Sequence, residues 1–245
     1  MVQRLLLFVL SLPVAAVAFS TSTNTPTTNI FEYLKWDGAT PDFDVLGKTK
    51  EYTSVFERTG KGPGPEWYDD DYVLRGGVIG PINLKDLREA QGGFDLAAAF
   101  PDLKVITFGH TIDPENPFRC FYFQKWRGTH TGTLLAGKQA YDATGNYCET
   151  PVSMFTAVWT PGGKIIYEQV GSPIDRFEGT TKGKAAVFGL LHTAGLDLPG
   201  NPGSTKLRLL QRLGHLLGVG GRSYSKEEDI PAWWTSKSRG ADPTD

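Results

Sequence analysis

Two cysteines in 245 residues, and no surplus of either charge, remove several classes of protein at once. Cys120 and Cys148 are too few for a disulfide scaffold and form no Cys-x-x-Cys pair. Cys120 lies in an apolar run, where a buried free thiol is the ordinary reading, and a disulfide between the two stays open. With 25 basic and 27 acidic residues the net charge is −2, so there is no cationic excess to neutralise phosphates and nucleic acid is disfavoured as a partner. His110, His192 and His215 share no ligand spacing, so no metal is expected. No Gly-x-Ser-x-Gly, phosphate loop or dinucleotide fingerprint occurs, and no cofactor is expected. The longest apolar stretch, Leu5 to Val17, is too short to span a bilayer.

That stretch has another use. Arg4 supplies a positive start, and Ala16-Val17-Ala18 is a small-residue cleavage site, so residues 1–18 read as a signal peptide. Phe19 follows, then a hydroxyl-rich run over 20–28, with no acid until Glu32. This combination resembles the bipartite presequences of algae with secondary plastids. The resemblance implies a plastid destination, with plain secretion as the alternative. No Asn-x-Ser/Thr sequon occurs, which leans the same way. Residues 19–43 are therefore read as a transit-like segment and linker.

The mature chain divides into early helices and later strands. Leu46, Tyr52, Val55 and Phe56 have loosely helical spacing within 44–59, and the Gly60 to Pro65 loop stops them. Val73 to Arg75 reads as a short strand. Asn83 can cap a helix through Leu87 and Ala90, which Gly92-Gly93 interrupts before a further turn at 94–100. Strands are expected at 105–112, 117–133, 151–160 and 164–171, the second one dense in aromatic residues. This order argues an α+β domain over 44–180. Two further helical patterns, 184–196 and 205–217, place a helical extension at 181–221. The leucines at 207, 210, 213 and 217 make a stripe suited to docking on the sheet, on a second subunit or on a membrane surface through residues 205–219. Residues 222–245 are polar apart from Trp233 and Trp234 and read as a flexible tail. Asp69, Asp70 and Asp71 read as a solvated face ending a helix, since three adjacent carboxylates cannot all meet one cation.

Alternation along the aromatic strand puts Cys120, Tyr122, Gln124, Trp126, Gly128 and His130 on one face, unless a bulge at Gly128 inverts the last of them. That face offers aromatic walls and one imidazole, the make-up of a small-molecule pocket.

The run Trp126-Arg127-Gly128-Thr129-His130-Thr131-Gly132 resembles the Gly-Thr-His-Thr-Gly segment of SnoaL-like polyketide cyclases, in the nuclear transport factor 2-like superfamily. Thr144-Gly145, the hairpin from Trp159 to Ile165, and the stretch from Trp67 to Asp71 with Gly80-Pro81 resemble further motifs of that family in the same order. The resemblance implies a curved antiparallel sheet wrapped around a long helix, forming a cone-shaped pocket, with the C-terminal helices as an addition. It also implies a homodimer and a small apolar ligand, with cofactor-free cyclisation, isomerisation or dehydration by acid–base catalysis. His130 matches the motif histidine, and Asp175 stands near the family's acid after the last strand, about two positions late. These two are the expected catalytic pair, with Tyr122, Trp126, Phe155 and Trp159 as substrate contacts. The alternative is a non-catalytic pocket for a lipid, pigment or terpenoid, or a dimeric assembly module. A structural role for His130 at a strand end, and capping by Asp175, compete with catalysis at both positions.

Overall fold

A computed structural model describes residues 40–198, 202–218 and 221–235. The presequence expected at 1–18, most of the linker expected at 19–43, and residues 236–245 lie outside the described residues.

The helix α1 (Val45–Thr59) starts where Asp44 Oδ1 accepts the Gly47 N–H at 2.9 Å and ends at Gly60, whose φ of 66° suits glycine. Its buried residues are Val45, Thr49, Tyr52 and Thr53. These recur at three- and four-residue steps and make one face. That face differs from the sequence expectation, because Thr49, Tyr52 and Thr53 carry hydroxyls, whereas Leu46 and Val55 are only half-buried.

The strands follow as β1 (Tyr68–Gly76) and β2 (Ile82–Asn83), then helices α2 (Leu84–Gly92) and α3 (Leu96–Ala99). Asn83 caps α2 through Asp86 N at 2.9 Å, as its position predicts. Asp69, Asp70 and Asp71 lie in β1 rather than at a helix end, with Asp70 and Asp71 exposed. The remaining strands are β3 (Lys104–Ile112), β4 (Arg119–Thr129), β5 (Leu134–Ala136), β6 (Gln139–Tyr141), β7 (Tyr147–Glu149), β8 (Ser153–Trp159) and β9 (Ile165–Pro173). Helices α4 (Ala186–Thr193), α5 (Thr205–Leu217) and α6 (Ala232–Thr235) follow among the described residues.

The main sheet runs β2-β1-β9-β8-β4-β3, with β7 also on β4. Every pairing is antiparallel except β1 with β9, which is parallel and which the expected antiparallel sheet did not include. Strands β7 and β8 both pair with β4, at 127–129 and 119–124. They read as one strand interrupted near Pro151, which lacks the N–H that a ladder needs. Register shifts between Tyr68 and Val73, Phe108 and Thr111, and Val158 and Trp159 bend the sheet. The result is a strongly curled half-barrel with α1 packed against β3 and β4 on its concave side.

Three apolar clusters hold this shape. One joins α1 to the concave face through Tyr52, Tyr68, Tyr72, Ile82, Cys120, Trp159 and Ile165. A second joins the far end of β4 to α3 and α4 through Phe100, Trp126, Cys148, Leu190 and Leu191. The third contains Val73, Val158, Ile166 and Trp233. Cys120 and Cys148 fall in different clusters as free buried thiols, which closes the question of their disulfide.

Trp233 corrects the reading of 222–245 as flexible throughout. It is fully buried, and its indole N–H donates to Asp71 O at 3.0 Å. Tyr167 meets both Trp233 and Trp234 at ring distances of 5.9 and 5.7 Å. Polar composition hid an aromatic anchor that straps the segment around Trp233 across β1 and β9. Trp233→Ala should therefore cost about 3–5 kcal/mol of stability, the usual penalty for emptying a large buried aromatic site. Urea unfolding checks this, and a midpoint unchanged from wild type would mean that the strap is not docked in solution.

Candidate functional site

Strand β4 alternates without a break. Cys120, Tyr122, Gln124, Trp126, Gly128 and His130 are all buried, and the residues between them are not. No bulge at Gly128 inverts the order. However, a strand rises about 3.3 Å per residue. Tyr122 and His130 thus share a face while standing roughly 26 Å apart along it.

At the Tyr122 end, five elements converge. Strand β9 contributes Glu168, which is buried. Its Oε1 accepts the Tyr52 hydroxyl of α1 at 2.7 Å, and its Oε2 accepts the Tyr72 hydroxyl of β1 at 2.6 Å. Tyr68 and Tyr52 share a further hydrogen bond at 3.1 Å. Tyr122 lies between two rings, with His110 of β3 at 5.5 Å and Phe155 of β8 at 5.7 Å, both nearly parallel to it. His110 Nε2 meets the Thr53 hydroxyl at 3.0 Å. Trp159 closes the cluster against Tyr52 and Trp67, and its N–H donates to Thr49 Oγ1 at 2.9 Å.

The electrostatics follow from the burial. Taking a carboxylate out of water costs several kcal/mol. Two hydrogen bonds to a charged group return about 1.5–3 kcal/mol each. Burial pushes the Glu168 carboxyl above the ordinary range, while the Tyr72 and Tyr52 hydroxyls pull it partly back. Burial, and then the Glu168 charge, push the Tyr52, Tyr72 and Tyr122 phenols well up, so all three stay protonated and available as donors. Burial lowers His110, helped by the Lys50 charge and opposed by Glu57.

The motif segment sits at the other end of β4 and works as a junction. Asp102 accepts from Thr129 N at 2.7 Å and from its hydroxyl at 2.9 Å. Gly132 N donates to Ala99 O at 3.1 Å, and a Cβ on Gly132 would overlap the Ala98 carbonyl oxygen. His130 stacks on Phe100 at 5.1 Å. Its Nδ1 accepts the Thr144 N–H at 3.2 Å and meets the Thr144 hydroxyl at 3.1 Å, so the proton belongs on Nε2, which is buried without a partner. Trp126 belongs to the same cluster, its indole N–H donating to Gln124 Oε1 at 3.3 Å.

The sequence-derived site residues therefore divide into three places. Tyr122, Phe155 and Trp159 line the concave cluster. Trp126 and His130 lie at the junction. Asp175 is exposed beyond β9, where its Oδ1 accepts the Phe177 N–H at 2.8 Å in a local turn. The structure does not bring Asp175 to His130. Sequence reasoning missed Glu168, Tyr52, Tyr68, Tyr72 and His110 as a group. One signal was available: an acid at 168 inside the strand Ile165, Ile166, Tyr167, Val170 interrupts an apolar run.

Among the described residues no group of three or more His, Cys, Asp or Glu is placed to hold a metal ion.

Burial lowers the His130 pKa, with a consequence for pH. The unfolded chain takes up this proton as pH falls through about 6.5, whereas the fold resists it. Stability is thus fully present above about 6.5 and lost as pH falls from there toward the folded value. We predict that His130→Gln, which keeps an acceptor for Thr144 N–H, loses less of its urea midpoint than wild type between about pH 7 and 5. Equal losses would contradict a neutral buried His130.

No family model and no curated protein matches the chain. Among solved structures it is similar to a SnoaL-like polyketide cyclase from Jannaschia sp. CCS1, at 11% identity and a TM-score of 0.37, covering 54% of this chain and 90% of that one. It is also similar to a phenazine biosynthesis-related protein from Pseudomonas aeruginosa, at 15% identity and a TM-score of 0.35, covering 66% and 94%. A third is an NTF2-like protein of unknown function from Exiguobacterium sp. 255-15, at 12% identity and a TM-score of 0.34, covering 50% and 95%.

Proposed function

We propose that the concave cluster is the working site of a SnoaL-like pocket domain, and that it acts on a small, largely apolar molecule bearing a carbonyl or hydroxyl oxygen. The observation that carries this reading is Glu168, a buried carboxylate with each oxygen held by a tyrosine hydroxyl. A cluster needed only for packing gains nothing from a carboxylate, because an apolar side chain of similar volume would avoid the desolvation cost. A carboxyl raised by burial is suited to exchange a proton near the working pH. In this reading Glu168 removes or returns a proton beside the substrate oxygen. Tyr52 and Tyr72 give their only hydroxyl protons to Glu168, so the Tyr122 hydroxyl, held protonated, is the donor to that oxygen as its charge grows. Tyr122, Phe155 and Trp159 shape the apolar walls. The chemistry is proton transfer, which fits cyclisation, isomerisation or dehydration without a cofactor.

A second reading has its own support. Both Glu168 oxygens already have partners, and Tyr52, Tyr72, Tyr122 and Trp159 are packed against one another or their neighbours. This self-sufficiency favours a non-catalytic site that holds a lipid, pigment or terpenoid.

One experiment separates the two. The chain from residue 29 onward is purified, extracted with organic solvent, and the extract identified by mass spectrometry. The compound or its carbonyl precursor is then offered to wild type, Glu168→Gln and His130→Ala. Catalysis at Glu168 predicts a loss of turnover of roughly 100-fold or more in Glu168→Gln with the ligand still bound, the usual scale for removing a general base. His130→Ala should keep turnover, since His130 belongs to the junction. An unaltered ligand in stoichiometric amount with no turnover supports the second reading. Turnover that survives in Glu168→Gln and disappears in His130→Ala would overturn the assignment to Glu168.

A further inference from the structure

Helix α5 touches the rest of the protein by a narrow side. Gln211 Nε2 donates to Val78 O at 2.8 Å. His215 Nε2 accepts the Ser223 N–H at 3.0 Å, and its ring meets Tyr224 at 4.3 Å. None of the residues of the helix is buried. At 3.6 residues per turn, Leu209, Leu210, Leu213, Leu216 and Leu217 fall on the arc opposite Gln211 and His215. They are 66%, 37%, 47%, 81% and 65% exposed. Of the leucines read from the sequence as a stripe, Leu210, Leu213 and Leu217 lie on this exposed arc together with Leu209 and Leu216, whereas Leu207 is half-buried on another side of the helix.

The charge around this arc is one-sided. No Asp or Glu occurs between Asp197 and Glu227, while Lys206, Arg208, Arg212, Arg222 and Lys226 all do. The whole chain is nevertheless at −2, so cations are concentrated here and the remainder is acidic. Arg212 borders the leucine arc, Arg208 stands further round beside His215, and Lys206 lies within the arc, long enough to reach outward from an apolar layer. Two copies of this helix packed leucine to leucine would bring cations against cations, which disfavours a second copy. Leucines flanked by lysine and arginine suit a surface that is apolar below and anionic above.

We propose that α5 docks on an anionic lipid bilayer. The helix lies in the interfacial plane with Leu209, Leu213, Leu216 and Leu217 in the acyl boundary and its cations at the headgroup phosphates. Among the described residues no helix is long and apolar enough to cross a membrane, so this contact is peripheral. It does not depend on the chemistry assigned to Glu168.

Vesicle flotation of the full chain tests this. The vesicles are phosphatidylcholine alone, or phosphatidylcholine with phosphatidylglycerol. Wild type should float with the anionic vesicles, weakly or not at all with the neutral ones, and less in high salt. The double variant Leu213→Glu/Leu216→Glu should stay unbound, with an unchanged urea midpoint because both leucines are exposed. The triple variant Lys206→Gln/Arg208→Gln/Arg212→Gln should lose roughly 100-fold in affinity, at about fivefold per cation. The segment Leu5 to Val17 is common to every variant, so binding through it would not distinguish them. Equal flotation of wild type and both variants would overturn the proposal, as would no flotation at all. A concentration-dependent dimer that Leu213→Glu abolishes, without lipid binding, would identify a second copy as the occupant and overturn it too.

Discussion

A carboxylate moved out of water must find donors or take up a proton, and Glu168 is held between those two outcomes. Its two oxygens are met by hydroxyls from different elements, Tyr52 on α1 and Tyr72 on β1, while Glu168 itself sits on β9. Those elements surround the concave face. The hydrogen bonds therefore tie the helix to the sheet beside its parallel β1–β9 pair. Above the folded carboxyl's pKa the burial cost is fully present, and below about 4.5 it is gone, because there both states are protonated. Keeping this group in an apolar site at neutral pH lowers the stability of the fold.

The two ends of β4 divide the labour. At 120–122 the strand faces the Tyr-Glu cluster, and at 126–132 it makes a joint with the loop around Asp102 and with α3. The Gly-Thr-His-Thr-Gly run belongs to the joint. Its glycine at 132 is required by close backbone approach, its threonine at 129 by Asp102, and its histidine is satisfied on one nitrogen by Thr144. The unpartnered Nε2 of His130 is a local cost that the Phe100 stack covers but does not offset with a hydrogen bond.

Much of the fold was legible because period and capping chemistry agree. Asp44, Asn83 and Gly60 mark helix ends by their side chains or lack of one, and the alternation of β4 holds from Cys120 to His130. The parallel pairing of β1 with β9 was not legible, because these strands lie almost a hundred residues apart and nothing local records the pairing. The short hairpin β5–β6 was missed for the opposite reason: its strands have three residues each, too few to show alternation. The candidate site was legible in part. Aromatic density pointed to Tyr122, Phe155 and Trp159, but a face is not a location, and about eight residues of strand separate Tyr122 from the histidine that shares it. Tyr52, Tyr72 and Glu168 come from three separate segments, and only the tertiary arrangement shows that their polar ends meet.

Glu168 is a buried carboxyl with its proton affinity raised by its surroundings. Infrared difference spectroscopy of wild type against Glu168→Gln, followed across pH, reads this directly through the carbonyl stretch of the protonated acid. A Glu168-specific protonated band should persist above the ordinary glutamate range near 4.5. A carboxyl that is fully ionised down to about pH 4, with no band distinguishing the two proteins, would contradict it.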